Sequence, residues 1–122
     1  MQDYRLVRVL LKGQAKAQFE ELNRIATAQY AEGTTNSEEI RLLKSIRQKA
    51  GLIKENRMYG DNIPKKPIPK SLDVSNLFRV ELTGYWRMLY SLETNENEII
   101  ALVTHILDHL AYDKLFGYKK SR

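Results

Sequence analysis

The chain has 122 residues, a length that suits one domain and hardly two. Its 43% apolar and 29% charged residues permit an ordinary core and exclude wholesale disorder, and the absence of cysteine excludes a disulfide scaffold, a thiol nucleophile and a Cys-ligated zinc. Lys+Arg number 20 against 15 Asp+Glu, so the net charge of +5 suits a polyanionic partner without identifying one.

Residues 4–11 (YRLVRVLL) are aliphatic and β-branched and stop at Lys12-Gly13, which predicts a strand with apolar residues on both faces, hence an interior or well-covered one. Residues 14–30 change period: Phe19, Leu22, Ile25 and Ala26 recur at helical spacing, opposite Lys16, Glu20, Glu21 and Arg24. Gly33 is the natural left-handed terminator of that helix. A second helix follows: Thr35, Asn36 and Ser37 offer N-cap oxygens, Thr35-x-x-Glu38 or Asn36-x-x-Glu39 would close a capping box, and Ile40, Leu43, Ile46 and Ala50 form its apolar stripe. Leu52-Ile53, after Gly51, either extend it or pack beyond it. Two amphipathic helices joined by a short loop form an antiparallel hairpin that needs a surface to cover.

Residues 57–70 (RMYGDNIPKKPIPK) hold all three prolines and read as irregular. The segment is a proline-stiffened connector from helix to sheet. Arg57, Lys65, Lys66 and Lys70 also make it a basic arm able to track a phosphate backbone, and the two readings are compatible. Three strand-like runs follow at 76–82, 85–92 and 98–105, then a short helix or turn over 107–118 and a flexible tail at 119–122. The longest apolar run, 99–103, is far below the about 20 residues that span a bilayer. The N-terminus mixes Asp3, Arg5 and Arg8 with apolar residues and lacks an apolar signal core. A soluble, cytoplasmic protein without a membrane partner is expected.

The first hairpin has two registers to choose between, and a one-residue slip inverts its faces. A two-residue loop pairs Val80 with Arg87 and mixes charge into an apolar face. A three-residue loop, Thr83-Gly84-Tyr85, pairs Leu82 with Trp86, Val80 with Met88 and Phe78 with Tyr90, and collects Arg79, Glu81 and Arg87 on the other face. The second register separates core from surface and is preferred. It sets Glu81 opposite Arg87, either as a cross-strand ion pair or beside an arginine that clamps phosphate. His105 and His109 are spaced i,i+4, as zinc ligands on a helix would be. The strand pattern runs to His105, however, and no third ligand is evident, so no metal is expected. The alternatives are acid–base groups or plain structural histidines.

The order strand, helical hairpin, three-stranded meander with basic residues on its open face makes the pattern specific. Residues 76–118, with the FRVEL strand, the GYWRMLY box at 84–90 and the Asp108-His109…Tyr112-Asp113-Lys114 ending, resemble the RelE/ParE toxin superfamily, most closely a longer archaeal-type branch of RelE-like toxins. Tyr59-Gly60-Asp61 and Ile68-Pro69-Lys70 are similar to the same branch. The resemblance implies an α+β fold over residues 1–122, with the helix pair on one face of a small twisted antiparallel sheet.

It further implies a toxin of a type II toxin–antitoxin pair, with an acidic, helical antitoxin and mRNA on the ribosome as partners. The RNase members cut without metal or other cofactor, using the 2′-hydroxyl as nucleophile. By position, Arg87 would stabilise the phosphate and Arg79 would assist it. Tyr112 matches the family's C-terminal tyrosine, and His105 or His109 would serve as acid or base. Lys119 and Lys120, with the 57–70 segment, would bind RNA. The sequence departs from the pattern at Glu81, where a lysine is common, and at 106–108, where no arginine follows the last strand. Glu81 is then a base, or the mark of a decayed nuclease site whose protein only binds. ParE-like gyrase inhibition and a plain basic RNA-binding domain are the other readings.

Overall fold

The computed structural model describes residues 3–117. In chain order it contains β1 (Leu6–Leu11), α1 (Gly13–Ala31), α2 (Glu38–Glu55), β2 (Asp61–Asn62), β3 (Phe78–Glu81), β4 (Trp86–Thr94), β5 (Glu98–Asp108) and α3 (His109–Phe116), with a single 3-10 turn at Lys70–Leu72 and a tight hairpin loop at Thr83–Tyr85. The class is α+β, as expected. The sheet, however, has five strands in the order β1-β5-β4-β3-β2 and is mixed, because β1 runs parallel to β5. This corrects the antiparallel sheet of the sequence analysis. It also moves β1 from the interior to an edge, where Leu6 and Leu10 remain exposed while Val7, Val9 and Leu11 face the helices.

Helix α1 ends as its glycine requires. Gly33 adopts φ +88°, Gly33 N–H donates to Tyr30 O and Thr34 N–H donates to Gln29 O, a closed C-terminal turn. The cap of α2 is Ser37, the last of the three candidate N-cap residues. Ser37 Oγ accepts from Ile40 N–H at 3.0 Å, and Glu39 instead accepts from Gln29 Nε2 at 2.8 Å, which ties the two helices together. That bond, followed by one from its own backbone, holds the Glu39 carboxyl below its usual range. Helix α2 runs through Gly51, so Leu52 extends it and Ile53 is fully buried.

The helices cover one face of the sheet. Leu22, Ala26, Ile40, Leu43, Ile46 and Ile53 pack on Phe78, Val80, Met88, Tyr90, Ala101, Val103 and Ile106. The hairpin takes the register in which Phe78 pairs with Tyr90, Val80 with Met88 and Glu81 with Arg87, around the three-residue loop. The far face is not open along its length. Leu77, Leu89 and Tyr112 form a second core there, covered by Ile63 and Ile68 of the proline segment, by Leu72 and Val74 just after it, and by Leu107, Leu115 and Phe116. The segment 57–70 is therefore a folded strap, not a free arm. Buried Tyr90 fastens it, its hydroxyl accepting from Gly60 N–H at 2.9 Å and donating to Arg57 O at 2.7 Å. Gly60 sits so close that an added Cβ would meet the Tyr90 ring at 2.9 Å.

Strand β5 carries a bulge at Thr104, since Leu89 pairs with His105 but Tyr90 with Val103. The Gln14 side chain compensates for the interrupted ladder, donating to Ile106 O at 2.9 Å and accepting from Ile106 N–H at 2.8 Å. The bulge places Val103 and His105 on opposite faces, although they are two apart in sequence. Strand β5 then runs past its predicted end to Asp108, whose side chain caps α3 by accepting from Ala111 N–H at 2.8 Å. Residues 118–122, including the expected tail, lie outside the described residues.

Candidate functional site

The far face at the hairpin end of the sheet collects the charged side chains. Period-two alternation puts Arg79, Glu81 and Arg87 there, and α3 lays Tyr112 across them. Glu81 Oε1 stands 3.6 Å from Arg79 Nε and 3.6 Å from Arg87 Nε. The Arg87 guanidinium carbon lies 4.4 Å from the centre of the Tyr112 ring, a cation–π contact that fixes its plane. Asp61 of β2, opposite Arg79, brings Oδ2 to 3.7 Å from its guanidinium. Hydrogen bonding with the Tyr112 hydroxyl, ahead of the charges of Glu81 and Asp61, raises Arg79 above its ordinary pKa against the cost of burial.

Among the described residues, the Nε atoms of Arg79 and Arg87 are the buried side-chain polar atoms left without a hydrogen-bond partner. Their shared carboxylate oxygen is too far away for a proper bond. Buried donors of this kind are uncommon, and two of them converge on one point here. The cluster thus holds more donor capacity than it satisfies. Glu81 is more open to solvent than the two cations it faces, its side chain 58% exposed against 33% for Arg79 and 25% for Arg87.

The two histidines stand apart from each other: His105 lines a different cavity, and His109 lies one turn before Tyr112 on α3. His105 sits opposite Leu89, half buried, with Nδ1 2.9 Å from Thr104 Oγ1, and burial lowers its pKa. It lines a separate open cavity of about 560 Å³ with Lys12, Gln14, Ser91, Thr104 and Leu115. His109 is exposed at the start of α3, edge-on to Tyr85 with ring centres 5.9 Å apart. His105 lies in the strand, as its pattern predicts, and His109 begins the helix, so the two do not share a helix face. Among the described residues no group of three His, Asp or Glu is placed to hold a metal ion, and no helix is long and apolar enough to cross a membrane.

The proposed RNA-binding cations are also redistributed. Arg57 is tied to Asp3 at 3.5 Å and its carbonyl to Tyr90, so it anchors the strap. Lys65, Lys66 and Lys70 are exposed, but Lys65 lies by Asn76, Ser91 and Glu93, at the other end of β4 from Arg87. Arg87 and Ser91 are four residues apart, about 13 Å along a strand. Lys119 and Lys120 lie outside the described residues. Sequence reasoning missed Asp61, which a lone acid in a proline-rich stretch does not announce, and the role of Tyr90 as the strap's fastening. No protein-family model, no curated protein and no solved structure matches the chain.

Proposed function

We propose that this chain is a RelE-type toxin, the endoribonuclease of a type II toxin–antitoxin pair, acting on mRNA at the ribosome. The order of strand, two helices, meander and short terminal helix supports that arrangement, with an acidic, helical antitoxin as its neutralising partner. The observation that carries the reading is the pair of buried, unsatisfied guanidinium Nε–H groups converging beside Glu81. Guanidinium donors match phosphate oxygens, and a site with surplus buried donors gains most from an oxyanion whose charge grows during reaction.

In this reading a phosphodiester lies against Arg79 and Arg87 while the exposed Glu81 carboxylate turns outward to the 2′-hydroxyl. Glu81 takes the hydroxyl proton, the O2′–P bond forms and the P–O5′ bond breaks. His109 gives a proton to the leaving oxygen, and a 2′,3′-cyclic phosphate and a 5′-hydroxyl result. Tyr112 positions Arg87. The same ion pairs favour a second reading: Glu81 and Asp61 together already balance the charge of the two arginines, as in a non-catalytic module that inhibits gyrase or binds only an antitoxin or RNA.

A translation extract with defined mRNA separates the two. Ribosome-dependent cleavage is expected from the wild type and is expected to be lost in Arg87→Ala. Glu81→Gln is expected to cleave about 100-fold more slowly or worse, the range of a lost general base, while binding RNA at least as tightly. Intact mRNA with wild-type protein, together with reduced supercoiling by gyrase, favours the second reading.

A further inference from the structure

We infer that Tyr85 is a stacking platform for an RNA base, set beside the arginine cluster; this rests on the reading of that cluster as a phosphate site. The hairpin loop presents Tyr85 in an unusual way. Its φ is +64°, directly after Gly84 at +66°, and a bulky side chain in the left-handed region is an outlier that surrounding structure must hold in place. The loop is held by Leu82 N–H donating to Trp86 O at 2.8 Å and by Thr83 N–H donating to Ser45 Oγ of α2 at 3.2 Å. This strained backbone does not bury the ring, which is 79% exposed. Glycine or asparagine would make the same turn at lower cost, so turn geometry alone does not account for a tyrosine here.

The neighbours say what the ring can do. His109 meets it edge-on at 64° between ring planes, which steadies the ring while most of its surface stays open to solvent. His109 and Tyr112 are spaced i,i+3 on α3, neighbours on one helix face about 5–6 Å apart at Cβ. The Tyr112 ring in turn carries the Arg87 guanidinium, whose Nε shares Glu81 with Arg79. One row of neighbouring side chains therefore runs from an exposed aromatic ring to the two cations of the proposed phosphate site. Single-stranded nucleic acid is bound by this combination of cations for the backbone and aromatic faces for the bases. Stacking is tolerant of base identity, so the platform orients the strand without reading its sequence.

The test is fluorescence anisotropy with a short, labelled 2′-O-methyl RNA, which cannot be cut, and with the same backbone carrying abasic sites. Tyr85→Ala should bind the base-bearing strand between about 5- and 150-fold more weakly, the loss of one base–aromatic stack, and the abasic strand as wild type does. Tyr85→Phe and Tyr85→Trp should retain affinity. Tyr85→Asn should lose it while melting at or above the wild-type temperature, since asparagine accepts the left-handed turn. Undiminished affinity in Tyr85→Ala, with binding lost in Arg87→Ala, overturns the platform and leaves the phosphate site standing. An equal loss on both strands means that Tyr85 acts through the fold, which also overturns it. A wild type that binds neither strand overturns the phosphate site itself, and the platform with it.

Discussion

Replacing Tyr90 by phenylalanine removes one oxygen atom from the centre of the structure. The ring is fully buried and stacks on Phe78 with centroids 5.1 Å apart, so Tyr90→Phe keeps the packing. The lost hydroxyl accepts from Gly60 N–H at 2.9 Å and donates to Arg57 O at 2.7 Å. Each such bond contributes about 1 kcal/mol net, and Arg57 and Gly60 are half-exposed, so water reaches the stranded groups once the strap yields. The expected loss is about 2 kcal/mol. At about 2.1 cal/mol/K per residue the unfolding entropy of a chain this size is about 0.26 kcal/mol/K, which makes the loss about 8 °C in Tm. Urea and thermal melts measure the total, and amide exchange at Gly60 reports whether the strap opens locally before the sheet does.

The pH dependence gives a second readout of the same substitution. Burial, the first cause, raises the Tyr90 pKa above its ordinary 10.0, so the folded protein keeps the phenol neutral where the unfolded chain ionises it. That contribution is whole below pH 10.0 and declines as the pH climbs toward the folded value, and it is absent from Tyr90→Phe. A change below about 0.5 kcal/mol, well short of two lost hydrogen bonds, with unaltered exchange at Gly60, would refute the view of Tyr90 as the strap's fastening.

Two further outcomes follow from burial. Leu89→Ala empties the centre of the second core, where the side chain is fully buried, and should cost about 3 kcal/mol in a urea melt; a cost near zero would mean that the strap and α3 collapse into the gap. His105 titrates below its ordinary 6.5 because it is half buried, so the unfolded chain takes up a proton before the folded one does. Stability is whole above pH 6.5 and falls as the pH drops toward the lower folded value. His105→Gln should flatten that fall, and melts through the window that decline in parallel for both proteins would show that the ring is not held neutral.

The hairpin was legible because alternation over Phe78–Tyr90 admits one register that keeps charge off the helix face, and the same argument assembled Arg79, Glu81 and Arg87. Tyr112 joined them only through a helix whose start is set by Asp108, a cap that fixes which face α3 lays on the sheet. The strap was illegible for a different reason. Ile63, Ile68, Leu72 and Val74 follow neither a helical nor a strand period, because prolines and a 3-10 turn space them, yet they cover the second core. The bulge at Thr104 likewise has no signature in composition, and it decides that His105 faces the 560 Å³ cavity and not the helices. Edge and parallel placement of β1 were hidden because outward Leu6 and Leu10 mimic a strand covered on both sides.

That placement also bears on how the chain reaches its fold. Strands β3, β4 and β5 can zip from neighbouring turns, but β1 closes against β5 with Leu6 beside Glu98 and Leu11 beside Val103, across most of the sequence. Contacts of such long range are the slow ones. At about 5–20 residues per second, β1 leaves the ribosome several seconds before its mate exists. Throughout that interval an aliphatic segment has no hydrogen-bond partner, which is the condition for mispairing with other chains. Arg5, which flanks it, and Arg8 within it afterwards meet Asn95 O at 2.8 Å and Glu98 at 3.3 Å. Before then they are the charges that keep the waiting strand apart from its copies.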